Sequence, residues 1–556
     1  MDLTIRIAGA AGQGVETTGD LLVEVFADQG IHCLSTQTYM SRIRGGVNSY
    51  DVRISDREIF SGRERADMLI ALNEKTLNWF SEKLTEDGIA LYSGADKGAD
   101  QSKVIAIDLE KVATEVGGSA IMANIVAAGA IFSIVGHDIG SLEDHIRSHF
   151  QHKGKGIVNA NIACARKGAE LVGEHAGRLN APIHGDAPTG ICSGNEAVGL
   201  AAATAGIKFA TGYPMTPSTG VLTYLANAAD KYGLVVEQAE DEIAAINMIC
   251  GATYAGVPAM TTTSGGGFAL MVEGISLAGM LELPIFVFLG QRPGPATGLP
   301  TRTAQQDLLF AVHAGHGEFP RAVFAPGTPQ QCYDLTRHGI EIAHKHQSPV
   351  ILISDQFLAD VRKNCPGLDD TYRPVDRHIV ENPPEDYLRY AVTESGLSPR
   401  ALPGSSAFVV LDSDEHDEDG HITDHIPTRV KMQDKRMRKY AGLLEDLIRP
   451  QWYGPEDAGH VLVTWGSAYG PCREAVDYLV HTDESIAMLH FAQLWPLDGA
   501  AIADMIGDRH VTVVECNQTG QLGRLLRQVG ALADFALMGK YDGLPFTADE
   551  IIRRIQ

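Results

Sequence analysis

The sequence lacks clustered cysteine. Its eight cysteines, Cys33, Cys164, Cys192, Cys250, Cys332, Cys365, Cys472 and Cys516, include no C-x-x-C pair. Iron–sulfur and structural zinc sites draw on clustered thiolates, so no metal ligand is expected in this chain. Scattered, unpaired cysteines suit a reducing cytosol, and a cytoplasmic location is expected. Positive charge is also scarce: 45 Lys and Arg face 70 Asp and Glu, a net charge of −25. Phosphate backbones reward basic stripes, and none is visible, which argues against a nucleic-acid partner. The acidic surplus reads as a solubility device. Long apolar runs are missing too. The longest, IMANIVAAGAIFSIVG at residues 121–136, is interrupted by Asn124, Gly129 and Ser133. It falls short of the ~20 residues that a membrane span needs; it reads as a buried helix, and no membrane partner is expected. The first residues, MDLTIRIAGAAGQG, carry neither a basic start nor an apolar core, so no signal peptide is expected.

What is present is an ordinary globular balance, 44% apolar and 21% charged over 556 residues. That length exceeds one hydrophobic core and implies about two to four domains. In residues 1–175, short β-rich runs (3–8, 68–72, 104–107) alternate with helical patterns. Residues 176–190 have the Gly, Pro and Asn content of a linker. In residues 191–365, strand candidates at 207–210, 234–236, 259–262, 285–289, 322–325 and 350–353 alternate with helices. Such alternation predicts a parallel sheet with helices on both faces. Residues 366–455 break the rhythm with prolines and an acidic run at 412–419, read as an irregular connecting segment with a solvated loop. Residues 456–556 return to α/β with strands at 461–465, 486–491 and 511–515. The fold class is multidomain α/β.

Two kinds of loop carry chemistry. The first, Gly9-Ala-Ala-Gly12-Gln13-Gly14, follows a strand and precedes a helix. Its backbone N–H groups can meet an anion, or it can serve only tight strand–helix packing. Its order, G-x-x-G-x-G, is not the dinucleotide fingerprint. Arg42 and Arg44 beside Gly45-Gly46 strengthen the anion reading. The second kind lies at the carboxyl ends of predicted parallel strands, where open α/β sheets bind ligands. One such loop is Tyr213-Pro214-Met215-Thr216-Pro217-Ser218-Thr219, and another runs from Arg292 to Thr301 through three prolines. An arginine fork with hydroxyl donors suits a carboxylate. Between them, Glu240-Asp241-Glu242 opens an apolar helical run. A buried carboxyl there favours its protonated form and can share a proton with a ligand nitrogen; which of the three acids points inward is left open.

YPMTPST (213–219), QAEDEIAAINMICGATYAG (238–256), TTTSGGGFALMVEG (261–274) and QRPGPATGLPT (291–301) together resemble the alpha subunit of 2-oxoacid:ferredoxin oxidoreductases, nearest the 2-oxoglutarate type. GAAGQG and SRIRGGVNSYDVRIS resemble the gamma domain of that family, fused ahead of alpha. The resemblance implies a gamma domain at 1–175, a thiamine-diphosphate pyrimidine-binding domain at 191–365 and a transketolase C-terminal-like domain at 456–556. It implies that Glu242 bonds the pyrimidine of thiamine diphosphate, with Tyr213 and Pro214 beside the cofactor. Thr216, Arg292 and Thr301 would hold the 2-oxoacid carboxylate. Gly9, Gly12 and Gly14, with Arg42 and Arg44, would help enclose coenzyme A. No G-D-G…N segment for Mg²⁺ and the diphosphate is present, nor are cluster cysteines. Mg²⁺ and a 4Fe–4S cluster are therefore expected on a beta subunit, in an (αβ)₂ assembly that reduces ferredoxin. Rival readings are the same enzyme acting on pyruvate or a branched 2-oxoacid, a self-sufficient thiamine decarboxylase, and a non-catalytic nucleotide-binding scaffold.

Overall fold

The computed structural model describes residues 1–556 except 41–44, 96–102, 182–183 and 483. The expected cations Arg42 and Arg44 lie outside the described residues. The chain forms two compact units: Met1–Cys192 with Val361–Gly367 and Thr547–Gln556, and Ser193–Asp360 with Leu368–Phe546. No single helix among the described residues is long and apolar enough to cross a membrane.

The first unit is built on an eight-stranded sheet. Strand Asp2–Ala11 pairs parallel with Ala66–Ala71 and antiparallel with Gly45–Ser55, which in turn pairs antiparallel with His32–Thr38. The last two strands were not expected. Many of their side chains are polar, and two of those in Gly45–Ser55 form ion pairs with Asp2–Ala11. Arg6 holds Asp51 through two bonds of 2.8 and 2.6 Å, and Arg53 holds Asp2 through bonds of 2.9 and 2.6 Å. The apolar run reads correctly as a buried helix, Ala123–Ile134. Its Gly129 has a physical reason: a Cβ there would overlap the Ala165 carbonyl of helix Lys155–Leu171, and one on Gly168 would overlap the Val126 carbonyl. The two helices thus pack backbone to backbone. The expectation of eight unpaired cysteines needs correction. Cys192 and Cys365 form a disulfide with Cα atoms 6.3 Å apart, across 173 residues of sequence, a distance at which spacing gives no signal. The other six are free and buried.

The second unit holds two sheets. The larger has seven strands, in the order Gln493–Trp495, Ala322–Phe324, Val350–Asp355, Phe286–Gln291, Ala259–Thr263, Phe209–Gly212, Val235–Gln238. All its pairings are parallel except that of Gln493–Trp495, the outermost strand. The smaller has five strands centred on His460–Trp465. One apolar core runs from Val287, Leu289, Ile351 and Ile353 of the first sheet to Val461, Val463, Leu489 and Val513 of the second.

The stretch 366–455 is less irregular than its composition suggested, for it contains helix Ile426–Glu445. The buried face of that helix is charged. Lys435 and Lys439 both reach the Glu282 carboxylate, Lys435 at 2.6 Å, and all three side chains are essentially fully buried. Burial alone would raise the Glu282 carboxyl, but the Lys439, Lys435 and Arg389 charges outweigh it and hold it well below the usual carboxylate range. Removing one member of a buried ion cluster leaves the rest uncompensated, at about 3–5 kcal/mol. Glu282→Gln should therefore lower the urea unfolding midpoint strongly. Lys439→Met, which leaves Lys435 to neutralise the carboxylate, should lower it less.

Candidate functional site

Parallel pairing aligns the carboxyl ends of the strands in the larger sheet. Gly212 stands opposite Gln238, Thr263 opposite Leu289, and Gln291 opposite Asp355. The segments that follow these residues therefore emerge along one edge. They are the 213–218 loop, the start of helix Glu242–Tyr254, the start of helix Gly265–Met280 and the 292–307 loop.

The structure singles out one of the three acids. Glu240 and Asp241 are exposed. Asp241 caps the helix, its carboxylate accepting from the Ala244 N–H at 2.8 Å. Glu242, the first helical residue, turns inward and is only 5% exposed. Its Oε1 is buried and, among the described residues, has no hydrogen-bond partner. The glycines of the neighbouring helix make room for it: a Cβ on Gly267 would overlap both Glu242 Oε1 and Thr263 Oγ1. Buried polar atoms are nearly always paired, so a carboxyl oxygen left without a partner among the described residues suits a ligand that supplies the missing bond.

The two proline-rich loops meet as expected. Arg292 Nη1 donates to the Thr216 backbone carbonyl at 2.8 Å, and Asn195 Nδ2 donates to the Pro217 carbonyl at 3.0 Å. A Cβ on Gly290 would lie 3.0 Å from Pro217 Cγ, so a glycine there lets the loops close up. Burial lowers the pKa of Arg292 from its ordinary value, and among the described residues no carboxylate pairs with it. A partly buried guanidinium without a counter-ion suits an anionic ligand. Thr301 lies farther along the same loop and is partly buried, whereas Tyr213 and Pro214 are exposed.

The 292–307 loop is fastened at its far end to the smaller sheet. Gln305 exchanges backbone and side-chain bonds with Cys516 at 2.8 Å each, and its Nε2 donates to the Trp465 carbonyl at 2.9 Å. Thr303 N–H donates to Gly543 at 3.1 Å. Sequence reasoning missed this loop's last residue, Asp307. Its N–H donates to Gln291 Oε1 at 2.9 Å, and its Oδ2 lies 2.6 Å from where a Cβ on Gly265 would stand. Burial pushes the Asp307 carboxyl up to about 6. The only available signal was an acid directly before an apolar helix, Leu308–Val312.

In the first unit, the Gly9–Gly14 loop is closed by Gln13. Gln13 Oε1 accepts from Ala10 N–H and from Asn73 Nδ2, each at 2.7 Å. Gly12 and Gly14 have φ of 89° and 76°, where glycine alone is unstrained. A Cβ on Gly14 would overlap the Asn124 side chain, and one on Gly9 would come within 2.9 Å of Val15. Packing thus accounts for Gly9 and Gly14, while Gly12 faces open space.

Residues 200–435 match the family described as pyruvate flavodoxin/ferredoxin oxidoreductase, thiamine diphosphate-binding, and residues 4–171 match pyruvate ferredoxin/flavodoxin oxidoreductase. A 2-oxoacid:ferredoxin oxidoreductase subunit alpha from Sulfolobus sp. is 30% identical over 99% of this chain and 96% of its own length. The 2-oxoglutarate oxidoreductase subunit KorA of Mycobacterium tuberculosis is 30% identical over 100% of this chain and 91% of its own. A solved 2-oxoglutarate:ferredoxin oxidoreductase from Magnetococcus marinus, with 2-oxoglutarate, coenzyme A and succinyl-CoA bound, is 32% identical with a TM-score of 0.93, covering 100% of this chain and 99% of that one.

Two expectations follow from the geometry. Gly267→Ala forces apart Glu242 and the glycine-rich helix and should cost about 1–3 kcal/mol by overpacking, read as a lowered unfolding midpoint. The folded-state pKa of Asp307, about 6, lies above its unfolded value. The folded chain therefore binds more protons between the two, and stability is lost as pH rises through that window. Asp307→Asn should remove this loss, so its gain in Tm over the parent should be larger at pH 7 than at pH 4.

Proposed function

The chain belongs to the 2-oxoacid:ferredoxin oxidoreductases, as an alpha subunit with a gamma-type domain fused at its N-terminus, and we propose that it acts on 2-oxoglutarate. The reaction is oxidative decarboxylation with coenzyme A to succinyl-CoA and CO₂, with reduction of ferredoxin, or the reverse carboxylation. Full-length likeness to the Magnetococcus marinus enzyme supports this choice of substrate.

The observation that carries the site assignment is the buried, unpartnered Oε1 of Glu242 in its glycine cradle. That atom suits the ring nitrogen of the aminopyrimidine of thiamine diphosphate, and Tyr213 and Pro214 lie on the loop at the same edge. When bound, the cofactor supplies the carbanion and electron-sink chemistry. The part played by Glu242 is to share a proton with that ring nitrogen in a water-poor setting. Arg292, oriented by the Thr216 carbonyl, takes the 2-oxoacid carboxylate, with the hydroxyls of Thr216 and Thr301 as further donors. Fixing the acid in one orientation removes much of the entropic barrier to reaction. In the gamma-type domain, the Gly9–Gly14 loop would help enclose coenzyme A, and of its three glycines Gly12 has the open surroundings such contact needs.

The chain carries neither a diphosphate–Mg²⁺ segment nor clustered cysteines. A beta subunit is the source of both Mg²⁺ and a 4Fe–4S cluster, and the working enzyme is an (αβ)₂ assembly in the cytoplasm that passes electrons to ferredoxin.

The test is reconstitution with the beta subunit. The complex should reduce a viologen dye with 2-oxoglutarate and coenzyme A faster than with pyruvate, and this chain alone should be inactive. Glu242→Gln should lower kcat by about 10²-fold or more. Arg292→Lys should chiefly raise KM, by about tenfold, for loss of charge-assisted bonds. Preference for pyruvate would overturn the substrate assignment, and full activity of Glu242→Gln would overturn the site.

A further inference from the structure

In the first unit, two histidines face a carboxylate on a neighbouring helix. His145 and His149 lie four residues apart on helix Ile139–Phe150, so they share a face, with ring centroids 5.9 Å apart. Glu24 belongs to helix Val15–Asp28. One ligand atom from each of the three residues lies within 4.8 Å of the other two. His145 Nε2 is 3.4 Å from Glu24 Oε2. That distance is close to the roughly 3.3 Å that separates two donors on a tetrahedral zinc ion with bonds of about 2.0–2.1 Å. His145 Nε2 is buried and faces the Glu24 carboxylate, its ion-pair partner when the ring is protonated. Its other nitrogen, Nδ1, faces Asp28 Oδ2 at 3.4 Å. A carboxylate behind an imidazole is the arrangement that fixes the ring of a metal-bound histidine.

We propose that Glu24, His145 and His149 form a binding site for a divalent transition-metal ion of the zinc type, with Asp28 orienting His145. Two imidazoles and one carboxylate suit such an ion and not the oxygen-seeking Mg²⁺ or Ca²⁺. Arg362 competes for Glu24, but it lies against the other oxygen, with Nη2 3.5 Å from Oε1, and its Nη1 is held by Asp20 at 2.6 Å. Oε2 is left for the ion. Three protein donors leave a fourth position for water. An ion there ties helix Val15–Asp28 to helix Ile139–Phe150, so binding stabilises the folded chain in proportion to occupancy.

Calorimetric titration of the chelator-stripped, full-length chain with Zn²⁺ tests this. The expected result is one saturable ion per chain and a rise in Tm that grows with zinc concentration, with no response to Mg²⁺. His149 is exposed, so His149→Ala should keep the metal-free Tm while weakening zinc at least tenfold. Asp28→Asn should weaken zinc by about 10–100-fold through the lost support of His145. Absence of saturable zinc binding by the parent chain overturns the site. So does one-ion binding that survives unchanged in His149→Ala or in the double variant with His145→Ala.

Discussion

A carboxyl oxygen buried without a partner costs about 1–3 kcal/mol, and the second unit is arranged to keep Glu242 in that condition. The helix that bears it is charged at both ends in the favourable sense. Asp241 caps the start, while Arg400 and Arg377 donate to the Thr253 and Gly256 carbonyls at the finish. Cations at a helix C-terminus and an acid at its N-terminus both offset the helix dipole. Arg400 is itself strained electrostatically: burial, then the Arg389 and Arg377 charges, push it down to about 9. The helix is thus anchored independently of anything Glu242 binds, and the inward carboxyl is a fixed feature of the fold.

Arg292 presents the opposite deficiency. It is a half-buried cation with a backbone carbonyl for company and no acid among the described residues. At one sheet edge the fold therefore offers an acceptor lacking a donor and a cation lacking an anion. A ligand with a ring nitrogen and a ligand with a carboxylate would each relieve one of these costs.

Much of this was legible beforehand. The strands of the larger sheet alternate with helices, and buried parallel strands read as short apolar runs; those at 259–262 and 350–353 fall within the observed elements, and 322–325 overruns Ala322–Phe324 by one residue. The loops carrying Thr216 and Arg292 were visible through their prolines. Three things stayed hidden for physical reasons. Of Glu240, Asp241 and Glu242, only the helix geometry decides which side chain caps, which is solvated and which is buried. Helix Ile426–Glu445 buries Lys435 and Lys439 against Glu282, so its inner face carries charge and shows no apolar stripe. The strands His32–Thr38 and Gly45–Ser55 carry many polar side chains and so look like loop material in one dimension. Asp307 belongs to the same class: nothing in a linear reading shows that it comes to rest against Gly265.

The Gln305 clamp ties the position of the Arg292 loop to the C-terminal sheet. The segment bearing Arg292 leaves one sheet and is moored to another, at Trp465, Cys516 and Gly543. Among the described residues, no hydrogen bond moors the glutamate helix to that sheet. Loosening of the last sheet slackens the arginine first and leaves the carboxyl of Glu242 in place. Lesions more than a hundred residues downstream can thus shift Arg292 while the chain stays folded and Glu242 keeps its place.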